Sequence, residues 1–493
     1  MLLLGIDIGT SAIKISVVDA DKQTCVASLR YPEEEETAIL TPEAGWAEQS
    51  PDMWWEHVQQ AIRSLNNQKC YNPQDIKAIG IAYQMHGLVM VDKALNNLRN
   101  AIIWCDSRAV SIGEKAFRAL GEEAALASLL NSPGNFTAAK LGWIKEYEPV
   151  LYDSVYKVML PGDYIAMKLT GTITTSISAL SEGIFWDFRN KRLSKELMDY
   201  FGFREDLIPT VTPLFGEHGR LSKEIADKLG LAAGIPISYK AGDQPNNALS
   251  LNVLNPGEVA ATAGTSGVIY GVSDQLVYDR LSRVNTFAHV NYGLDDPKVG
   301  VLLCINGTGI LNRWVKEQFG KGLDYEDMNR LASTVSLGSD GLKILPFGNG
   351  AERILENRIL GAHLANLDLN KHQREHVFRA SQEGIAFAFR YGLDIMRENG
   401  MSPEVIRAGK ANLFLSDLFT QIFVNVTDTP VELYNNDGSV GAALGAGIGA
   451  GVFNSSKEAF QNAKALRVIE PNPNWNYEEE YGQWLHLLEN QLK

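Results

Sequence analysis

Cysteine is scarce, with four in 493 residues. Cys25, Cys70, Cys105 and Cys304 lie far apart, and no two stand at metal-ligating or redox spacing. That excludes a disulfide scaffold and a cysteine-built zinc site, and it fits a reducing compartment. Positive charge is also short: the net charge of -14 argues against a nucleic-acid partner, because phosphate backbones need a basic stripe. Long apolar runs are missing too. No stretch reaches the roughly 18 residues needed to cross a bilayer, so no membrane partner is expected. Leu2-Leu3-Leu4 reads as strand, with no basic leader before it, and a cytoplasmic location is the expectation. Without a secretion signal the sequons at Asn135, Asn306, Asn425 and Asn454 say nothing. What remains is ordinary globular composition, 45% hydrophobic and 21% charged. The length exceeds what one core serves, so two domains are expected, 1–248 and 249–493.

The first organised stretch is Gly5-Ile6-Asp7-Ile8-Gly9-Thr10-Ser11-Ala12-Ile13-Lys14. It reads as strand, tight turn, strand. Asp7 interrupts an apolar strand, and a carboxylate there needs a partner or a cation. Backbone amides around Gly9, Thr10 and Ser11, with Lys14 beside them, could cradle an anion. The plainer reading is a hairpin whose Asp caps its own turn. An echo in the second half weighs against that: Glu258 to Ala263, then Gly264-Thr265-Ser266, then Gly267 to Val272 repeats the pattern. Aligning the two Gly-Thr-Ser triplets sets Thr262 opposite Asp7, which suggests a duplicated unit with a phosphate-gripping turn in each copy.

Between them lies Ile237-Ser238-Tyr239-Lys240-Ala241-Gly242-Asp243-Gln244. Here a β-prone run ends at a glycine and presents one carboxylate, the position where α/β proteins place ligand-contacting groups. Asp243 is therefore the candidate catalytic base, at a hinge between two similar domains. Two further strand ends carry polar groups. Ile76 to Tyr83 leads into Gln84-Met85-His86-Gly87, and Ile102-Ile103 leads into Trp104-Cys105-Asp106-Ser107-Arg108. A stacking aromatic with carboxylate, amide and guanidinium partners is the equipment of a sugar site. The competing reading makes His86 a satisfied core histidine, Trp104 core packing and Asp106 with Arg108 an ion pair.

Other stretches read as structural. Ser50 with Pro51 starts a helix whose apolar stripe is Trp55, Val58, Ile62 and Leu65. Glu33 to Glu36 is a solvated acidic run. His372-Gln373-Arg374-Glu375-His376 has the H-x-x-E-H spacing of inverted zinc peptidases, but it opens an amphipathic helix and has no third ligand. Val405 to Asn412 is a strand-turn-helix that is not a Walker loop. Gly438 to Ala450 contains a GxGxxA match, which small residues at helical spacing explain as close packing. The tail from Asn472 reads as an acidic surface helix.

Together these segments resemble the FGGY carbohydrate kinases, and among them the members that phosphorylate D-xylulose. The resemblance runs from the first hairpin to about residue 450. It implies an α/β fold of two duplicated ribonuclease-H-like domains, of the actin and hexokinase type, around a central cleft. It implies a catalytic pair, Asp243 as general base and Asp7 as organiser of Mg²⁺ through water, with Asp243 also near the metal. The sugar would meet Gln84, Met85, His86, Trp104, Asp106, Arg108 and Gln244. ATP would meet Gly9, Thr10, Ser11 and Lys14 in the first half and Gly264, Thr265, Gly307, Gly409 and Asn412 in the second. The implied reaction is ATP-dependent phosphorylation of a ketopentose. Alternatives are another polyol kinase of the family, ribulose-type included, or an actin-like ATPase without a sugar. A homodimer is compatible with the resemblance. Two segments depart from the family pattern. Gln244-Pro245 stands where D-xylulose-phosphorylating members carry Asn, an Asp-Gln pair nearer the glycerol kinases. A single glycine, Gly409, stands where the adenosine turn usually has three.

Overall fold

The computed structural model describes residues 1–34 and 39–493, so Glu35 and Glu36 of the acidic run lie outside the described residues. The chain forms two compact units. The first comprises Met1–Asn252, Phe287–Val299 and Asp437–Ala463; the second comprises Val253–Thr286, Gly300–Asn436 and Lys464–Lys493. The boundary expected after residue 248 lies near the end of the first segment, and the chain then returns twice to the first unit.

The first unit is built on a five-stranded sheet in the order Ile237–Gly242, Ile76–Tyr83, Leu2–Ile8, Ile13–Asp19, Thr24–Tyr31. Leu2–Ile8 pairs antiparallel with Ile13–Asp19, setting Asp7 opposite Lys14, and parallel with Ile76–Tyr83. Ile76–Tyr83 in turn pairs parallel with Ile237–Gly242. Parallel central strands are covered on both faces, which accounts for the unbroken apolar run in Ile76–Tyr83. The helix Pro51–Asn67 lies against Ile13–Asp19 and Thr24–Tyr31. Ser50 caps it by accepting the Met53 N–H, as its sequence predicts. The buried stripe, however, begins at Trp54 rather than Trp55 and continues through Val58, Ile62 and Leu65.

The other face is covered by the helix Gly438–Gly449, the glycine-rich stretch of the sequence. A Cβ on Gly5 would lie 1.8 Å from the Ser439 carbonyl oxygen, and one on Gly80 1.9 Å from that of Ala442. Helix backbone and strand backbone therefore touch, which only glycine allows. The GxGxxA match lies further along the same helix, where Gly445 packs on the Tyr239 ring and Gly447 on Phe453.

The second unit holds a seven-stranded sheet in the order Asn285–Ala288, Val299–Ile305, Gly267–Ser273, Glu258–Ala263, Val405–Gly409, Val431–Tyr434, Arg467–Ile469. Glu258–Ala263 pairs antiparallel with Gly267–Ser273 and parallel with Val405–Gly409, which pairs parallel with Val431–Tyr434. The five central strands repeat the order of the first sheet, with Asn285–Ala288 and Arg467–Ile469 added at the edges, and the repeated hairpin occupies the same place in both. The helix Arg374–Glu398 is the spine of this unit, burying Val377, Ser381, Gly384, Ile385, Ala388 and Ile395. The C-terminal helix Glu478–Leu492 is not a surface appendage: Tyr481, Trp484 and Leu488 enter the core, and Trp484 Nε1 donates to the Ile344 carbonyl at 2.8 Å. Among the described residues no helix is long and apolar enough to cross a membrane.

Candidate active site

Two carboxylates stand near the ends of two strands of the first sheet. Asp7 is the penultimate residue of Leu2–Ile8, and Asp243 follows Ile237–Gly242 to begin the helix Asp243–Ser250. Loss of water raises Asp7 to about 6, with Lys14 opposing and Asp437 adding to the rise. Loss of water, and then the Asp7 charge, raise Asp243 to about 7. Gly438 closes over this pair. A Cβ there would lie 2.5 Å from Asp7 Oδ2, and its carbonyl accepts from Asn246 Nδ2 at 2.8 Å. Gln244 Oε1 and Asn246 Oδ1 are buried without hydrogen-bond partners. Two carboxylates raised by burial, one of them also by its neighbour's charge, with orphan oxygens beside them, fit a hard divalent cation. Such an ion binds through one or two carboxylates and fills its shell with water and phosphate oxygens. A site made of protein ligands alone does not fit, since the described residues contain no cluster of three or more His, Cys, Asp or Glu that could hold a metal.

The first predicted sugar segment adjoins Asp243. Met85 is buried against Gly242, where a Cβ would lie 2.6 Å from Met85 Cγ. Gln84 accepts from Thr10 Oγ1 at 3.4 Å, and Thr10 Oγ1 accepts from Trp104 Nε1 at 3.0 Å. The Trp104 ring is about half exposed, so it is a cover rather than core. Thus Thr10 of the predicted phosphate turn, Gln84 and Trp104 form one connected group. Within that turn Gly9 N–H is used internally, donating to the Ala12 carbonyl at 3.1 Å, and Lys14 stays exposed.

Asp106 and Arg108 are turned on each other. Arg108 Nε lies 3.0 and 2.9 Å from the Asp106 oxygens, Nη2 reaches Asp106 Oδ2 at 2.7 Å, and both side chains are buried. Glu48 Oε1 joins at 2.8 Å, and the guanidinium lies 3.8 Å above the Trp46 ring. Asp106 also accepts the Ala47 N–H at 2.6 Å. These contacts consume the carboxylate, so the pair braces the loop that carries Trp104. Arg108 Nη1 alone has no partner.

In the second unit a cavity of about 1010 Å³ is lined by Gly264, Thr265 and Asn412, the predicted second phosphate turn and adenosine turn. Asn412 sits at φ +53 with its amide near Gly264. Gly307 and Gly409 are not in the described wall. Gly307 packs on Pro346, whose oxygen would be 1.7 Å from a Cβ there, and its N–H goes to Glu352. Gly409 packs beside Asn436. The wall instead takes Gly309, two residues along the same turn, whose N–H donates to the Gly264 carbonyl at 2.9 Å. Asn312, Asn329 and Ser416 also line it. The sequence marked this turn as glycine-rich but not which glycine faces the cavity.

The H-x-x-E-H histidines are engaged elsewhere. His372 Nδ1 and His376 Nδ1 accept backbone N–H groups of Asp368 and Gln373, and both Nε2 atoms face Asp340 at 3.3 Å. With Nδ1 occupied as acceptor and Nε2 as donor, this is a helix-start brace, not a metal site.

Comparison with known proteins follows the same lines. Residues 2–250 match the FGGY family of carbohydrate kinases, N-terminal domain, and residues 259–452 match its C-terminal domain. A xylulose kinase of Bacillus subtilis (strain 168) is 29% identical over 470 residues, 93% of this chain and 90% of the relative. A xylulose kinase of Haemophilus influenzae is 28% identical over 99% of both chains. Among solved structures, xylulose kinase from Rhodospirillum rubrum superimposes with a TM-score of 0.88 at 25% identity, covering 99% of each chain. The two-unit α/β architecture with its repeated sheet is therefore the fold of those kinases. The chain belongs to the FGGY family of carbohydrate kinases.

Proposed function

We propose that this chain transfers the γ-phosphoryl group of ATP to a ketopentose, D-xylulose, giving D-xylulose 5-phosphate. The observation that carries this reading is the meeting of Asp243, Asp7 and the Gln84-Met85-His86 segment at neighbouring strand ends of one sheet. The relatives named xylulose kinase support the choice of sugar.

A sugar hydroxyl is a weak acid, so its proton needs an acceptor as the new O–P bond forms. Asp243 takes that proton. Its carboxyl, raised to about 7, changes charge where a base working near neutral pH should. Gln84, His86, Trp104 and Gln244 orient the sugar, Met85 gives it an apolar floor, and Asp106 with Arg108 hold the loop beneath Trp104. Asp243 and Asp7 would hold Mg²⁺, which when bound would supply charge neutralisation for the phosphates. Ser11 and Lys14 are the phosphate-contacting candidates of the first unit, and the cavity bounded by Gly264, Thr265, Gly309 and Asn412 is the nucleotide candidate of the second. Positioning and electrostatics carry most of such a reaction.

The test is a sugar panel. The purified chain is assayed for ADP release with ATP, Mg²⁺ and D-xylulose, D-ribulose, glycerol or gluconate in turn. The highest kcat/KM is expected with D-xylulose. A higher value with another polyol moves the chain to a different branch of the family, and ATP hydrolysis that no sugar stimulates removes the kinase reading altogether.

A further inference from the structure

Resting on that reading, we infer that Glu182 and Lys140 are positioning residues that grip the backbone of His86 from both sides and so set the sugar-recognition segment. His86 has φ +62, a left-handed conformation that residues other than glycine rarely adopt. Something must hold it there. Glu182 Oε1 accepts the His86 N–H at 2.8 Å, and the Glu182 carbonyl lies 3.2 Å from His86 Nδ1. Lys140 Nζ donates to the His86 carbonyl at 2.8 Å and to the Ile103 carbonyl at 2.9 Å. Ile103 precedes Trp104, so the same ammonium ties the second sugar segment to the first.

Both side chains are buried, Glu182 at 1% and Lys140 at 0% exposure. They come from separate helices, Thr137–Tyr147 and Ile177–Glu182. Buried charges are a poor means of gaining stability, because well-packed apolar residues serve as well or better. Burial pushes the Glu182 carboxyl up and the Lys140 ammonium down, yet each group lands on the backbone of one residue. The Glu182 carboxylate also touches the strand of the base, since a Cβ on Gly242 would lie 2.8 Å from Oε2. The contact from Nδ1 to a carbonyl oxygen requires the proton on Nδ1, which makes Nε2 the acceptor nitrogen. The His86 ring is then seated edge-on against Phe136 at 4.7 Å and beside Phe287 at 5.3 Å. Without the grip, His86 relaxes to negative φ and its ring leaves that seat.

The experiment compares Glu182→Ala, which removes the acceptor, with Glu182→Gln, which keeps an oxygen in the same place, and adds Lys140→Met. Loss of a buried hydrogen bond that leaves its backbone partner unsatisfied predicts a rise of about tenfold or more in sugar KM for Glu182→Ala and Lys140→Met, with ATP KM within about twofold. Glu182→Gln is expected to restore most of the loss. In a His86→Ala background, adding Glu182→Ala should change sugar KM far less than it does in the wild type, a coupling that a merely structural role would not produce. Equal effects of the Ala and Gln variants, or full additivity with His86→Ala, overturn the inference, and the Glu182 pair decides it even if Lys140→Met fails to fold. The crystal structure of Glu182→Ala separates this inference from the proposed function. A wild-type chain that phosphorylates no sugar sinks the function, whereas His86 still at positive φ in the variant sinks the grip.

Discussion

Gln84 and Gln49 meet side chain to side chain, Gln84 Nε2 donating to Gln49 Oε1 at 2.8 Å. Gln49 is fully buried; its own Nε2 donates to the Thr10 carbonyl at 2.7 Å, and its oxygen also accepts from Trp54 Nε1 at 3.1 Å. One amide thus ties the sugar segment, the first phosphate turn and the capped helix together. Gln49→Leu would strand three buried polar groups. A loss of about 1–3 kcal/mol is expected for each group left unsatisfied, less where water enters. Urea unfolding measures it, and KM should rise for sugar and ATP together, unlike the sugar-only effect of Glu182→Ala.

Asp243→Ala should fold and bind ATP normally while kcat falls by about two to four orders of magnitude, the range of a general base. In the wild type, protonation below about 7 disables the same base, so kcat should decline with falling pH on an acid limb that the variant lacks. A variant within tenfold of wild type rejects Asp243 as the base.

Gly80→Val would drive a side chain into the helix Gly438–Gly449, because even a Cβ would sit 1.9 Å from the Ala442 carbonyl oxygen. Overpacking of this kind costs about 1–3 kcal/mol or more. A drop in thermal midpoint checks it, with an exposed-site substitution as control.

Gly309→Ala tests the nucleotide cavity alone. Its Cβ would lie 2.3 Å from the Gly264 carbonyl oxygen, displacing the wall at Gly264 and Thr265. ATP KM should rise severalfold with sugar KM unchanged.

His218 provides a stability test. Burial, and then the neighbouring Lys240 charge, hold its pKa down to about 3. Its Nε2 donates to the Leu214 carbonyl at 3.1 Å, so Nδ1 accepts from Thr174 Oγ1 at 3.1 Å. The unfolded chain binds this proton near 6.5 and the folded chain does not, so stability falls as pH drops from about 6.5 toward 3, by ~1.4 kcal/mol per pH unit. His218→Asn should flatten that part of the profile in urea titrations at successive pH values.

What the sequence made legible was local. Strand ends carrying Asp7, Gln84 and Asp243, the repeated hairpin and the Ser50 cap all rest on patterns a few residues long. Residues brought together over long separations escaped it. Glu182 and Lys140 reach His86 from helices 96 and 54 residues downstream, and nothing near them in the chain announces the contact. Asp106 and Arg108 looked like sugar ligands because their spacing is right; Glu48 and Trp46, which bury them, lie elsewhere in the sequence. Gly307 was preferred to Gly309 because turn composition does not say which residue faces outward. In the C-terminal helix, three leading glutamates hid the stripe Tyr481, Trp484, Leu488.

The helix Gly438–Gly449 has a consequence for how the protein is made. It forms one layer of the first unit, yet it leaves the ribosome after nearly all of the second. A nascent chain that has released residue 252 holds a sheet with one face uncovered, glycines Gly5 and Gly80 included. The first unit therefore cannot finish folding until residue 449 has been made. Premature termination anywhere before residue 437 would leave that apolar face open to association with other chains rather than yield a smaller working domain.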